Sequence, residues 1–305
     1  MKNIFIINNA AGLKNGEEIV NKLIEELSDE CRNNNEFIYK VTKGPKDATI
    51  IAKEICQEYS NEVVNVFACG GDGTCFEVCN GLVGHKNIHF GILPVGSCND
   101  FLKTYPGYNF MSLEDQINGS IVIIDALKIG DEYSINVANF GYDAKSNYDQ
   151  IRYRKKFKKV KTAYNFALVK NILSPKLGDK VEVYIDDELV YDGKTLLINV
   201  ANAKYYGGGY KCSPEADCSD GLLNLTIIKK VSVVLFLRMV KFYKRGEHLN
   251  HPVIKKKLVY KTGKKVLIKS FNDLYGCLDG ETRIKKEFTI EMVEKCISFI
   301  LPKKE

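Results

Sequence analysis

Val63–Thr74 reads VVNVFACGGDGT, a β-branched and aromatic run that stops at three glycines within four residues. Val63–Ala68 is apolar at every position but Asn65, the pattern of a strand covered on both faces. Thr74–Leu82 then resumes the apolar spacing of a helix. Upstream, Asn3–Asn9 (NIFIINN) and Phe37–Val41 read as strands. Gly16–Cys31 and Asp47–Tyr59 read as the helices between them, the first with Ile19, Val20, Leu23, Ile24 and Leu27 on one face. Downstream, Ile88–Val95 (IHFGILPV) is a further strand before Gly96. Strands alternating with helices predict an α/β domain over residues 1–125, with a mostly parallel sheet covered on both sides.

Beyond residue 125 the pattern changes. Tyr133–Phe140, Val181–Asp186, Thr195–Ala201, Leu222–Lys229, Val266–Ser270 and Asp273–Leu278 read as strands separated by turns, which predicts a β-sandwich over residues 126–290. Tyr148–Leu173 and Val231–Lys244 interrupt it as helices. Phe288–Glu291 and Ile297–Leu301 are late strands, and residues 291–305 are placed to return to the first domain. A length of 305 residues suits two domains. The longest apolar run, Val231–Val240, is broken by Arg238 and falls far short of the ~20 residues that span a bilayer. With no full signal-peptide pattern at the N-terminus, a cytoplasmic protein is expected. The ten cysteines form no C-x-x-C pair, so free thiols packed as small hydrophobes are expected rather than a disulfide or zinc framework.

The glycines of Gly70, Gly71 and Gly73 would let backbone approach a polyphosphate, with N–H groups and the positive end of a helix dipole facing the anion. Asp72 offers a carboxylate where Mg²⁺ could bridge to phosphate, and Thr74 a hydroxyl. The plainer reading is a tight turn that needs glycine. Gly91–Phe101 (GILPVGSCNDF) repeats the strand–glycine–polar sequence, bringing Ser97, Asn99 and Asp100. In a parallel sheet the strand carboxyl ends share one edge, where ligands bind. Asn8–Gly12 and Thr42 are expected at that edge too.

GGDGT, Asn80-Gly81 and GILPVGSCNDF, followed in order by YYGGGYKCSPEADCSDGLLNLTII (Tyr205–Ile228), KRGEH (Lys244–His248) and LDGE (Leu278–Glu281), resemble the diacylglycerol kinase and sphingosine kinase superfamily. The soluble bacterial diacylglycerol kinases are the members this chain is most similar to. The resemblance covers nearly the whole chain and implies a phosphofructokinase- and NAD-kinase-like nucleotide-binding domain joined to a β-sandwich lipid-substrate domain, facing each other across a cleft. It implies ATP contacts at Asn8, Gly12, Thr42, Gly70, Gly71, Asp72, Gly73, Thr74, Glu77, Ser97 and Asn99. Asp279 matches the general base, with Glu281 beside it. Asp72, Asp100 and Asp125 match acidic positions that organise Mg²⁺ and water, while Asp220 with the carbonyls of Asp217 and Leu222 matches a structural Mg²⁺ site. Departures occur as well: NNAAG stands where relatives commonly have Pro and hydroxyl residues, CFEV replaces LNEV after GGDGT, and Ser97 replaces the commoner Thr. On local sequence alone Asp279-Gly280 reads first as a β-turn after a strand, and the resemblance reverses that judgement.

Net charge is +6, but residues 1–125 carry −7 and residues 126–305 carry +13. Segments 151–180 and 229–265 carry +9 and +11. An anionic membrane surface is the expected partner of these segments, consistent with peripheral association and a lipid substrate; solvated helix faces are the alternative. No nucleic-acid module is recognisable, and a homodimer is left open. The expected activity is transfer of the γ-phosphate of Mg-ATP to a lipid hydroxyl, with diacylglycerol leading and phospholipid biosynthesis as the setting. Other lipid alcohols such as long-chain bases or phosphatidylglycerol, an NAD-kinase-like activity and a silent lipid-binding regulator are the alternatives.

Overall fold

The computed structural model describes residues 1–10, 15–96, 98–154, 156–157, 160–174 and 178–304. They form two compact units: Met1–Ala126, Glu132–Ile135 and Val293–Glu305 in the first, Leu127–Asp131 and Asn136–Met292 in the second.

The first unit is built on four parallel strands, β1 (Lys2–Ile7), β2 (Glu36–Val41), β3 (Val64–Cys69) and β4 (Ile88–Leu93), in the order β4-β3-β1-β2. Their registers align Val41, Ile7, Cys69 and Leu93, so all four strands end together. Helices α1 (Gly16–Glu25), α2 (Asp29–Asn33), α3 (Asp47–Glu58), α4 (Asp72–Leu82) and α5 (Leu113–Ile117) complete this part of the chain. The single helix expected over Gly16–Cys31 is two. Ser28 starts a new one by accepting the Cys31 N–H at 3.3 Å, and the Arg32 guanidinium donates to the Glu25 and Leu27 carbonyls left open at the end of α1. Between α3 and α4 the backbones meet closely, because a Cβ at Gly81 would lie 2.4 Å from Ala52 Cβ.

After β5 (Ser120–Ile129) and β6 (Glu132–Ser134), the second unit is antiparallel: β7 (Val137–Gly141), β8 (Asp179–Ile185), β9 (Glu188–Ala201), β10 (Leu223–Lys229), β11 (Leu258–Gly263), β12 (Lys265–Leu278) and the start of β13 (Glu281–Leu301). Its strands run β11-β10-β9-β7-β12-β13, and β8 bridges β12 and β9. The long strand β9 changes partners along its length, pairing with β8 at its start and with β7 and β10 at its end. The expected strands Val266–Ser270 and Asp273–Leu278 are one, β12, with a break in register between Lys269 and Leu274. The helical stretch Tyr148–Leu173 is likewise divided, into α6 (Tyr142–Tyr153) and α7 (Val160–Ile172). The last helix, α8 (Val233–Arg245), is capped by Ser232 and stopped by Gly246 at φ 76°.

β13 also serves the first unit. Its Ser298 and Phe299 pair in parallel with His89 and Phe90 of β4, and the Gly84 N–H donates to the Cys296 carbonyl at 2.9 Å. Phe299 gathers Phe90, Phe101, Tyr105 and Phe110 around it at centroid distances of 5.2–6.0 Å. All ten cysteines are free thiols, and only Cys98 is exposed. No helix among the described residues is long and apolar enough to cross a membrane.

His248 of the KRGEH segment is fully buried in the second unit, its Nε2 3.1 Å from the Cys212 carbonyl and its ring against Tyr243. Burial pushes its pKa down to about 4. The unfolded chain therefore takes up a proton that the folded chain refuses between about pH 6.5 and 4. Stability is full above that window and falls across it, by up to about 3 kcal/mol. Urea unfolding at pH 7 and pH 5 tests this. His248→Gln is expected to be less stable than wild type at pH 7 but to lose less between the two pH values.

Candidate active site

The loops that leave the four parallel strands are tied to one another by backbone hydrogen bonds that continue the sheet past its end. Asn8 N–H donates to the Cys69 carbonyl (3.1 Å), Thr42 N–H to Ile7 (2.9 Å), Gly70 N–H to Leu93 (3.3 Å) and Gly96 N–H to Gly70 (3.1 Å). Asp72 N–H then reaches the Cys98 carbonyl at 3.0 Å. Such closeness requires glycine: a Cβ at Gly96 would lie 2.4 Å from the Gly71 nitrogen, and one at Gly70 would lie 2.3 Å from Thr74 Oγ1. Gly73, by contrast, faces open space. The N-terminus of α4 has no side-chain cap, so its positive dipole end opens at this edge. Asn8 Nδ2 donates to the Thr74 hydroxyl at 3.1 Å, which fixes both side chains at the turn.

Asp72 and Asp100 face each other here. The Asp100 N–H donates to Asp72 Oδ1 at 2.8 Å, and Lys103 binds the buried Asp100 carboxylate. Burial, with the Asp100 charge adding to it, pushes Asp72 up to about 6. Two carboxylates beside an open helix N-terminus, only one of them paired with a lysine, are a donor set that would suit a divalent cation. Among the described residues no group of three or more His, Cys, Asp or Glu side chains is gathered as for a metal.

Other expected residues have definite occupations. Both carboxylate oxygens of Glu77 accept amides at the start of α3, from Lys46 (2.9 Å) and Ala48 (3.2 Å), so it caps a neighbouring helix. Asn99 Oδ1 lies 3.9 Å from Cys75 Sγ. Asp125, buried in β5, accepts the Lys295 N–H at 2.6 Å where Lys295 takes φ 50°, bracing a bend in β13. Asp217 and Asp220 each close a short exposed turn, on the N–H of Ser219 (3.0 Å) and of Leu222 (2.9 Å). Gly12 and Ser97 lie outside the described residues.

In the second unit Asp279 and Gly280 are the two turn residues of the β12–β13 hairpin, at φ 42° and 100° with Leu278 opposite Glu281. This is the primed turn that Asp-Gly favours, and it presents Asp279 at the tip. The β-turn reading of Asp279-Gly280 is the one this geometry shows. Glu281 is exposed and lies 3.7 Å from Arg283. Asn147, on α6, holds the hairpin by donating to the Gly280 carbonyl at 2.8 Å. No sequence signal points to Asn147, 133 residues away from its partner; Lys103, by contrast, was readable as the i+3 partner of Asp100.

Residues 2–129 match the family described as "Diacylglycerol kinase catalytic domain", and residues 136–301 match "YegS C-terminal NAD kinase beta sandwich-like domain". The chain belongs to the diacylglycerol kinase-like family of lipid kinases. A Staphylococcus aureus (strain Mu3 / ATCC 700698) protein named "Putative lipid kinase" is 27% identical over 295 residues, which are 95% of this chain and 93% of that one. The fold is that of a Bacillus anthracis str. Sterne crystal structure described as "a putative diacylglycerol kinase", with TM-score 0.75, 22% identity and 98% and 96% of the two chains covered. An Archaeoglobus fulgidus NAD kinase in complex with ATP shares the fold more distantly, at TM-score 0.50 and 11% identity over 100% of this chain and 94% of that one.

Two outcomes follow for the lipid kinase. Gly96→Ala must push the Gly70-Gly71 loop aside, and it is expected to lose ATP binding in calorimetry while keeping its far-ultraviolet dichroism. Asp72 has a folded pKa above its unfolded one, so ionising it costs stability as pH rises from about 4 through about 6. Asp72→Asn keeps an oxygen for the Asp100 N–H; in the nucleotide-free protein it is expected to raise stability by about 1–2 kcal/mol at pH 8 and not at pH 4.

Proposed function

We propose that this kinase transfers the γ-phosphate of Mg-ATP to the hydroxyl of diacylglycerol, giving phosphatidic acid and ADP. The observation that carries the nucleotide half is the pair of glycine loops pressed together at the carboxyl edge of the parallel sheet, with α4 opening uncapped beside Asp72 and Asp100. Backbone amides and the dipole of α4 bind phosphate oxygens there. Asn8 and Thr74, already hydrogen-bonded to each other, orient the loop that does so. Asp72 and Asp100 would hold Mg²⁺, which when bound supplies positive charge against the phosphates.

The second half of the reading is a proton acceptor. A lipid hydroxyl is a weak nucleophile, and a carboxylate that takes its proton during attack contributes about 10²–10⁴-fold. Asp279 has that role in the proposal: its carboxylate accepts the proton as the hydroxyl oxygen bonds to the γ-phosphorus and the bond to the β-phosphate oxygen breaks. Asn147 keeps the turn in place, while Glu281 and Arg283 flank it. The glycerol backbone and acyl chains belong to the second unit in this reading, and the basic segments 151–180 and 229–265 bring the enzyme to an anionic membrane.

Transfer of labelled γ-phosphate from Mg-ATP to diacylglycerol in anionic mixed micelles tests it. Wild type is expected to make phosphatidic acid. Asp279→Asn, which suits the same turn, is expected to lose at least about a hundred-fold in kcat with ATP binding intact. A labelled lipid formed only from a total membrane extract replaces the substrate; no labelled lipid from ATP-binding protein overturns the reading.

A further inference from the structure

Three helices of the second unit turn large apolar side chains to solvent. On α7 and just past its end, Phe166, Val169 and Leu173 are 43%, 58% and 66% exposed. Their spacings of three and four put them in one stripe. On α8, Val234 and Leu237 are 62% and 64% exposed, and Ile151 on α6 is exposed as well. The core does not need them. Ile172 of α7 and Met239 and Tyr243 of α8 are buried in one apolar cluster, against which Leu168 and Phe236 pack. Tyr142 joins the two helices, its ring 5.3 Å from that of Phe236 and its hydroxyl donating to the Leu168 carbonyl at 2.9 Å. Both helices therefore cover one cluster and leave an exposed apolar stripe on their outer sides, in which Phe166 has ring partners, Tyr153 at 4.9 Å and Phe157 at 5.2 Å.

The charge around these stripes has one sign. Residues 150–178 contain nine Lys and Arg and no acid, and residues 221–246 contain six and no acid. On α8, Arg238, Lys241 and Arg245 are exposed at positions i+4, i+7 and i+11 from Val234, so they share its face. Lys170 is exposed within the α7 stripe, and Arg152 and Arg154 are exposed at the end of α6. Neighbouring acids are few: Asp149 is taken by Lys145 at 2.7 Å, and Glu247 lies 3.4 Å from Arg245.

We infer that α7 and α8 insert Phe166, Val169, Leu173, Val234 and Leu237 into the acyl region of an anionic bilayer, with the surrounding Lys and Arg at the headgroups. The inference rests on the lipid-kinase reading for its choice of partner and extends it, since cations alone would require no insertion. A nucleic acid would neutralise the same charges but would offer nothing to the valines and leucines. A basic amphipathic face with aliphatic residues is the form that binds within a membrane interface. Electrostatic docking is lost in salt, whereas the inserted part is not.

The chain has no tryptophan, so a single one reports its own surroundings. Leu237→Trp and Val169→Trp are mixed with vesicles of equal phosphatidylglycerol and phosphatidylcholine, with Val63→Trp, an exposed site of the first unit, as control. The two helix variants are expected to shift their emission to the blue and to be quenched by brominated acyl chains, in 0.5 M salt as well as at low salt; the control is not. Val234→Ser with Leu237→Ser is expected to lower vesicle binding about ten-fold while leaving turnover of a dispersed short-chain diacylglycerol unchanged. Vesicle binding with no shift or quenching at either helix overturns the inference, as does no binding to anionic vesicles at all. A shift that appears without lipid and tracks dimer formation overturns it in favour of a second copy of the chain. Insertion with no turnover of any lipid leaves the inference standing and removes the kinase reading instead.

Discussion

The first unit depends on a contact that no side chain makes. Gly96 lies so close to the Gly70-Gly71 peptide that a single methyl group would collide with backbone nitrogen and carbon. Because backbone meets backbone there, the loop after β4 is held by the loop after β3, and the amides of both are ordered before any ligand arrives. Asp72 and Asp100 are brought together as a by-product of the same stitching, through Asp72 N–H to Cys98 and Asp100 N–H to Asp72. The aromatic group around Phe299 fixes the segment that follows Asp100, so the precision of the edge is supported from beneath by packed rings.

That arrangement carries a cost of the kind expected at functional sites. Asp72 sits where burial and a like charge oppose its ionisation, and Lys103 neutralises only one of the two carboxylates. Strain is placed similarly in the second unit, where Asp279 takes a left-handed conformation at a hairpin tip. Here the geometry suits the residue, since Asp-Gly is a favoured pair for this turn, and Asn147 secures the carbonyl that the turn leaves outward.

Local pattern carried much of the architecture. β3 and GGDGT were readable because an unbroken apolar run, a glycine cluster and a helical period follow within twenty residues, and the alternation of strands and helices extends that reading to residue 125. Breaks made by distant partners were not readable. The division of Gly16–Cys31 depends on Ser28 meeting Glu114, 86 residues away, and on Arg32 turning back to cap α1. β12 and β13 each run through what look like two strands, because a local irregularity in register resembles a turn in sequence. For site residues the limit was different: Glu77 is a carboxylate at the expected place, but the amides of α3 already occupy both its oxygens. Charge count likewise pointed to the basic segments, while the aliphatic stripes on α7 and α8 emerge only when burial separates the two sides of each helix.

The last strand has a consequence for the order of events at the ribosome. β4 remains an edge until Ser298 and Phe299 arrive, and the rings of Phe90, Phe101 and Tyr105 have no centre until then. More than two hundred residues must be synthesised between the edge and its cover. During that interval an unpaired parallel edge with aromatic residues beside it is available to other nascent chains. A unit built this way is complete only after Ser298 and Phe299 have been made, which makes the pairing of β13 with β4 the step that commits it.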